Sequence, residues 1–211
     1  MKKEILAVFD FDGTITHKDT LLEFIKFSKG KIWFYFGFLI FSPLLIAMKL
    51  KMCPNWKVKQ RLFSWFFKGV SIKQFNQWGK TFRAEIDKNL RHEIMTAIKS
   101  HKEDGDKIII ISASIENWIT PWAEKAGIDT VLATKIAIDQ NGLLTGKFST
   151  KNCYGQEKVN RLLAEFPNRE DYKLIVYGNS RGDQELIQLA DSGCYVREEG
   201  TKTTKHRSVF V

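Results

Sequence analysis

The chain reads as an α/β protein with a parallel sheet, interrupted after its first strand by a helical insertion. Three observations predict this. Short apolar runs that end in polar or turn residues recur at positions 5–9, 107–111 and 174–177. Buried strands leave such runs in a sequence. Between the later runs lie stretches with apolar residues three or four apart, and strands alternating with helices argue for parallel pairing. From residue 31 to 91 the alternation stops, and the pattern is helical and basic throughout. At 211 residues the chain is long enough for one or two domains with a sizeable core.

The run at 5–9, ILAVF, forms the first strand and delivers Asp10-Phe11-Asp12-Gly13-Thr14 at its carboxyl end. In open α/β sheets, ligands bind at the carboxyl ends of strands. Two carboxylates there suit a hard divalent cation. They also suit nucleophilic and acid–base chemistry. A surface Asp-x-Asp-Gly turn with no chemistry would show the same five residues. Asp19 or Thr20 then caps a helix that runs to about Lys29.

Residues 32–48, IWFYFGFLIFSPLLIAM, carry no charge over 17 positions and are flanked by lysines at 29, 31, 49 and 51. This length is at the lower edge of what spans a bilayer. A single crossing would separate Asp10 from the later motifs that must meet it. The run is therefore either a buried helix or a helical hairpin broken near Ser42-Pro43, since proline disrupts a helix interior. Either form can dock on a membrane surface. Residues 55–90 stay helical, with Val58, Leu62, Trp65 and Phe66, then Phe75, Trp78, Phe82 and Ile86, at spacings of three or four. Core packing in a small bundle accounts for these aromatics.

After Arg91 a helix at 92–102 ends at Asp104-Gly105. The strand at 107–111, KIIII, leads into Ser112-Ala113-Ser114, and a helix at 116–126 is closed by Gly127. A strand at 130–133 precedes a hairpin built on Asp139-Gln140-Asn141-Gly142. A helix at 156–166 carries Lys158. The strand at 174–177 opens into Gly178-Asn179-Ser180-Arg181-Gly182-Asp183, followed by a helix at 184–190 and a strand near 194–196. Taken singly, Ser112 and Ser114 read as caps of the next helix, Lys158 as a solvated lysine, and Asp183 as the N-cap of the helix at Gln184.

The formal charge of +9 is unevenly placed: residues 31–91 hold 12 Lys/Arg against Glu85 and Asp87, and the rest of the chain nets −1. Such asymmetry marks a separate unit and suggests acidic partners. A nucleic-acid grip is one reading of a basic segment with interleaved aromatics. No groove-reading or single-strand-binding motif supports it, and nucleic acid is the least expected partner. Cys53, Cys153 and Cys194 are odd in number and far apart, with no disulfide framework or metal spacing, so a reducing cytoplasm is expected. The first residues make a poor signal peptide, because the short apolar run ends in aspartate.

Four motifs, in order, carry a family resemblance: Asp10-Phe11-Asp12-Gly13-Thr14, Ser112 after KIIII, Lys158 in Gly155-Gln156-Glu157-Lys158, and Gly178-Asn179-Ser180-Arg181-Gly182-Asp183 after LIVY. The chain resembles the haloacid dehalogenase superfamily of phosphohydrolases, specifically its subfamily IB, the phosphoserine phosphatase-like branch. The resemblance covers nearly the whole chain. It implies a Rossmann-like α/β core with helices on both faces, over residues 1–18 and 91–211, and an all-helical cap at 19–90 between the first and second motifs. It implies a phosphatase in which Asp10 attacks phosphorus to give an aspartyl-phosphate and Asp12 protonates the leaving oxygen, then activates water. Ser112 and Lys158 would stabilise the phosphoryl group, with amides around Gly13, Ala113 and Ser114 holding its oxygens. Mg²⁺ would be held by Asp10, the Asp12 carbonyl, Asn179 and Asp183. The family pattern usually has Gly-Asp where this chain has Gly178-Asn179, which predicts weaker metal affinity. Asp19 lies where phosphoserine phosphatases place a glutamate that meets the substrate amine, and it is equally the N-cap of a helix at Leu21. The substrate is expected to be a small soluble phosphomonoester. A lipid phosphate, with the cap docked on an anionic membrane, is the alternative, because relatives that act on phosphatidylglycerophosphate share the long apolar run. A non-catalytic relative is the third reading.

Overall fold

The computed structural model describes residues 3–50, 52–197 and a two-residue strand at 205–206. The rest of the basic tail lies outside the described residues. In chain order the elements are β1 (Glu4–Phe9), α1 (Thr20–Lys29), α2 (Lys31–Lys49), α3 (Asn55–Phe67), α4 (Ile72–Asp87), α5 (His92–Glu103) and β2 (Lys107–Ile115). They continue with α6 (Glu116–Lys125), β3 (Thr130–Thr134), β4 (Ile136–Ile138), β5 (Leu144–Phe148), α7 (Gln156–Glu165), β6 (Tyr172–Gly178), α8 (Gln184–Leu189), β7 (Ser192–Tyr195) and β8 (Lys205–His206).

The main sheet has the order β3-β2-β1-β6-β7-β8, parallel except for β8. β1 lies between β2 and β6, with Phe9 level with both Ile110 and Tyr177. The loops after β1, β2 and β6 therefore open on one edge of the sheet. The strand order reverses at β1, the position where such sheets bind ligands. Alternate residues of β1 feed opposite faces. Leu6 and Val8 join a cluster with Val159 and Leu162 of α7 and Leu186 of α8, while Ala7 and Phe9 join one with α5 and α6. Helices thus cover both faces.

The four inserted helices form a cap whose core is continuous with that of the sheet. Phe24 of α1 stacks on Trp118 of α6 at 4.6 Å and meets Phe67, Phe75 and Phe82 edge-on or tilted at 5.2–5.6 Å. The β4–β5 hairpin also leans on the cap through Gly69 N to Leu144 O and Ile72 N to Gly142 O, both 2.8 Å. A notch keys α4 to α6. Pro121 removes the helical donor to Asn117 O, and Gly79 packs over that carbonyl so closely that a Cβ would lie 2.3 Å from it.

The apolar run is neither of the forms expected from its sequence. It is one unbroken helix, and it is mostly not buried. Pro43 deprives Leu39 O of its helical donor, but Ser42 Oγ donates to that carbonyl at 2.8 Å, so the helix continues. Phe34 is buried, whereas Ile32, Trp33, Tyr35, Phe36, Leu39 and Ile40 are exposed. The helix sits at the edge of the cap and packs mainly against α1 and α3. By length and composition, residues 31–48 would suffice to cross a membrane.

Candidate active site

Asp10 and Asp12 follow β1 in one turn and are bound by different partners, Lys158 and the Thr20–Ser114 pair. Phe11 between them is fully buried and edge-on to Trp122 at 5.4 Å, which anchors the loop. Gly13 turns the chain at φ +79°, where an L side chain is strained; a Cβ there would also strike Asn179 Nδ2 at 2.0 Å. Two further ties fix the loop: Arg91 Nε donates to Gly13 O at 3.1 Å, and Arg91 N donates to Ile15 O at 2.8 Å.

Lys158 enters from the first turn of α7. Gly155 starts that helix at φ +60°, and the buried Lys158 ammonium lies 2.7 Å from Asp10 Oδ1 and 2.5 Å from Asp183 Oδ1. Burial alone would lower its pKa, but Asp10 and Asp183 outweigh burial and hold it charged. For Asp10 the balance runs the other way. Burial, reinforced by Asp183 and opposed by Lys158, pushes its carboxyl up to about 7.

Asp183 does not cap the helix at Gln184, contrary to its reading in isolation. Its Oδ2 turns back and accepts from Ser180 N at 2.9 Å, Ser180 Oγ at 2.8 Å and Asn179 N at 3.2 Å. This closes the loop after β6 around the carboxylate. α8 has no side-chain cap.

Asp12 is held by three donors. Thr20 N and Thr20 Oγ1 reach its Oδ1 at 2.9 and 2.6 Å, and Ser114 Oγ reaches its Oδ2 at 2.7 Å. Trp118 Nε1 donates in turn to Thr20 Oγ1 at 3.1 Å. Burial and then Asp19 raise the Asp12 pKa, against Lys59, Thr20 and Ser114. A proton carrier needs such an elevated carboxyl. Ser112 is buried and accepts from Ser114 N at 3.1 Å. The β2–β3 register shifts between Ser112 and Ile115, so Ala113 and Ser114 leave the ladder there. Neither serine caps α6, whose first turn has no side-chain cap. Ser114 spends its amide on Ser112 and its hydroxyl on Asp12, a use its sequence position did not suggest. Asp19 caps α1 by accepting from Leu21 N and Leu22 N at 3.0 and 3.3 Å, and it pairs with Lys59 of α3 at 3.5 Å.

Asp10, Asp12, Ser112, Lys158 and Asp183 are therefore gathered at one loop cluster, with Gly13 and Asn179 in contact beside them. Sequence reasoning missed the Asp12 partner Thr20, the indole of Trp118 that donates to Thr20, the cap residue Lys59 and the loop tie Arg91. Thr20 had registered only as an alternative helix cap, and Trp118 was not singled out; periodicity cannot distinguish a core tryptophan that also donates a hydrogen bond. Among the described residues, no three His, Cys, Asp or Glu side chains cluster for a metal. The oxygens available are the Asp10 and Asp183 carboxylates, the Asn179 amide and the Asp12 backbone carbonyl. Among the described residues Asn179 Oδ1 is buried without a donor, an arrangement that is costly unless a cation or another donor meets it. That set fits a hard, oxygen-seeking cation.

A family model described as haloacid dehalogenase-like hydrolase matches residues 7–188. Protein CicA of Caulobacter vibrioides is 32% identical over 193 residues, covering 90% of this chain and 85% of that protein. The Streptomyces azureus inhibition of morphological differentiation protein is 25% identical, covering 86% of this chain and 68% of its own length. A Bordetella pertussis protein of unknown function superposes with a TM-score of 0.79 at 16% identity, over 92% of this chain and 90% of that one. A substrate-bound phosphoserine phosphatase gives 0.65 at 18% identity, over 92% and 86%. These superpositions support the fold, and the sequence matches establish descent: the chain belongs to the haloacid dehalogenase-like hydrolase family.

Proposed function

We propose that the protein is a phosphomonoester hydrolase acting through an aspartyl-phosphate at Asp10. The observation that carries this is the Lys158 ammonium set between Asp10 and Asp183 at 2.7 and 2.5 Å, beside a separately held Asp12. Asp10 attacks phosphorus as the bond to the leaving alcohol breaks, and the proton of Asp12 goes to that alcohol. Asp12 then takes a proton from water as water attacks phosphorus, so phosphate leaves and Asp10 is regenerated. Lys158 and Ser112 offset charge on the phosphoryl oxygens. Mg²⁺ would be held by Asp10, Asn179, Asp183 and the Asp12 carbonyl, and when bound it supplies further positive charge to the transferring group. A phosphatase screen over amino-acid, sugar, nucleotide and lipid phosphates with Mg²⁺ tests the reading. Turnover that survives Asp10→Asn would sink the covalent mechanism.

The expected site of action is the cytoplasm. A second reading, action at the inner membrane face, is favoured by one observation: the exposed face of α2, with Ile32, Trp33, Phe36 and Leu39 beside Lys31. An apolar exposed helix with flanking lysines suits an anionic interface. Co-sedimentation with anionic vesicles at low salt is expected, and indifference to them would remove this reading.

A further inference from the structure

An apolar groove of about 490 Å³ lies in the cap between α1, α2 and α3. Leu22, Phe38, Leu45, Met48, Val58 and Leu62 line it, and among the described residues its charged lining residues are Asp19 and Lys59. These two pair at 3.5 Å, and Asp19 directly precedes Thr20, whose amide and hydroxyl hold Asp12. The charged end of the groove is thus the end that meets the catalytic loop. Lys59 is about four-fifths buried there, with a side-chain exposure of 21%. Burial would lower its pKa, but Asp19, Asp12 and Asp10 outweigh burial and keep it cationic. A cation at the junction of a catalytic carboxylate and an apolar groove matches a molecule that is polar near its phosphate and apolar beyond.

We propose that this groove receives the alkyl chain of the substrate alcohol, that Lys59 contacts the polar group joining chain to phosphate, and that the substrates are lipid phosphomonoesters. The inference rests on the hydrolase reading and names its substrate class. It does not require α2 to touch a bilayer, because the groove is walled by three helices of the cap. Each methylene that enters such a groove is worth up to about fourfold in affinity.

The test uses the full chain and 1-alkyl-glycerol 3-phosphates with four-, six- and eight-carbon chains, kept monomeric, with Mg²⁺. The ratio kcat/KM should rise at least about tenfold from four to eight carbons, a fraction of the full transfer value because the groove is open on one side. Leu45→Trp, which fills the groove from α2, should flatten that rise. Lys59→Met should raise KM about tenfold across the series with a smaller change in kcat. Calorimetric binding of the same series to Asp10→Asn reads the groove without turnover. Chain-length-independent binding and turnover by the unaltered groove would overturn the proposal, and so would a wild-type slope in a folded Leu45→Trp. If no member is hydrolysed while binding still strengthens with chain length, the groove stands and the hydrolase reading falls.

Discussion

Replacing Asp10 with asparagine should abolish turnover and yet stabilise the metal-free protein. Burial, helped by Asp183, outweighs Lys158 and lifts the Asp10 carboxyl from 3.8 to about 7. A gap of about three units corresponds to about 4 kcal/mol lost when the group is charged. Asparagine keeps the shape and still accepts from Lys158, but carries no charge to desolvate. Lys158 retains Asp183 at 2.5 Å as its charged partner; the shift already contains the pull of Lys158, and relaxation around the buried charge reduces the gain. A net gain of about 1–2 kcal/mol at pH 8 remains, or about 2–8 °C in Tm for a chain of this size. The sign follows from the folded carboxyl binding its proton more tightly than the unfolded one. Below about pH 4 both states are protonated and variant and wild type should match; the gap opens between about pH 4 and 7 and is complete above that. Urea titrations in EDTA at pH 4.5, 6 and 8 measure it. A variant less stable at pH 8, or a difference that ignores pH, would refute the reasoning.

Asn179→Asp should tighten Mg²⁺ binding in calorimetry by about tenfold, because it adds a charge where a partnerless amide oxygen now lies; unchanged affinity would mean that Asn179 is not a ligand. Gly79→Ala should cost about 1–3 kcal/mol in denaturant stability, since its methyl would lie 2.3 Å from Asn117 O and wedge α4 off α6. Phe24→Ala should cost about 3–5 kcal/mol, with cap and core unfolding in one transition because Phe24 bridges them through Trp118; two separated transitions would contradict a continuous core.

The sheet was legible because its strands announce themselves. The isoleucines of KIIII are buried on both faces and LIVY is buried on one and half-buried on the other, and β1, β2 and β6 lie where their apolar runs predicted, with the candidate site loops at their ends. The gathering of Asp10, Ser112, Lys158 and Asp183 was legible only through the joint pattern of four motifs. Each residue alone pointed to a cap or a surface. α2 was misread for a local reason. Proline argued for a break, and nothing in periodicity shows that Ser42 will satisfy the carbonyl Pro43 leaves free. The burial of α2 was misjudged because hydrophobicity reports what a residue prefers, not what neighbours the fold provides. Thr20 and Lys59 stayed hidden because their partners lie in other elements, Asp12 after β1 and Asp19 before α1. β8 escaped because a two-residue antiparallel strand leaves no pattern.

The grip of Thr20 on Asp12 has a consequence for how the enzyme opens. Thr20 is the first residue of the first cap helix, and the chain enters and leaves the cap side by side, with His17 N donating to Asn89 O at 2.8 Å. A cap that swings about this paired crossing carries Thr20 away from the loop after β1. Access for bulk water and loss of two of the three donors that orient Asp12, leaving only Ser114 Oγ, are then one movement. An opened site would admit water to a phosphorylated Asp10 while the group that must activate that water is no longer aimed. On the proposed mechanism the covalent intermediate would thereby be shielded by disarmament as well as by enclosure, and its breakdown would wait for the cap to close again.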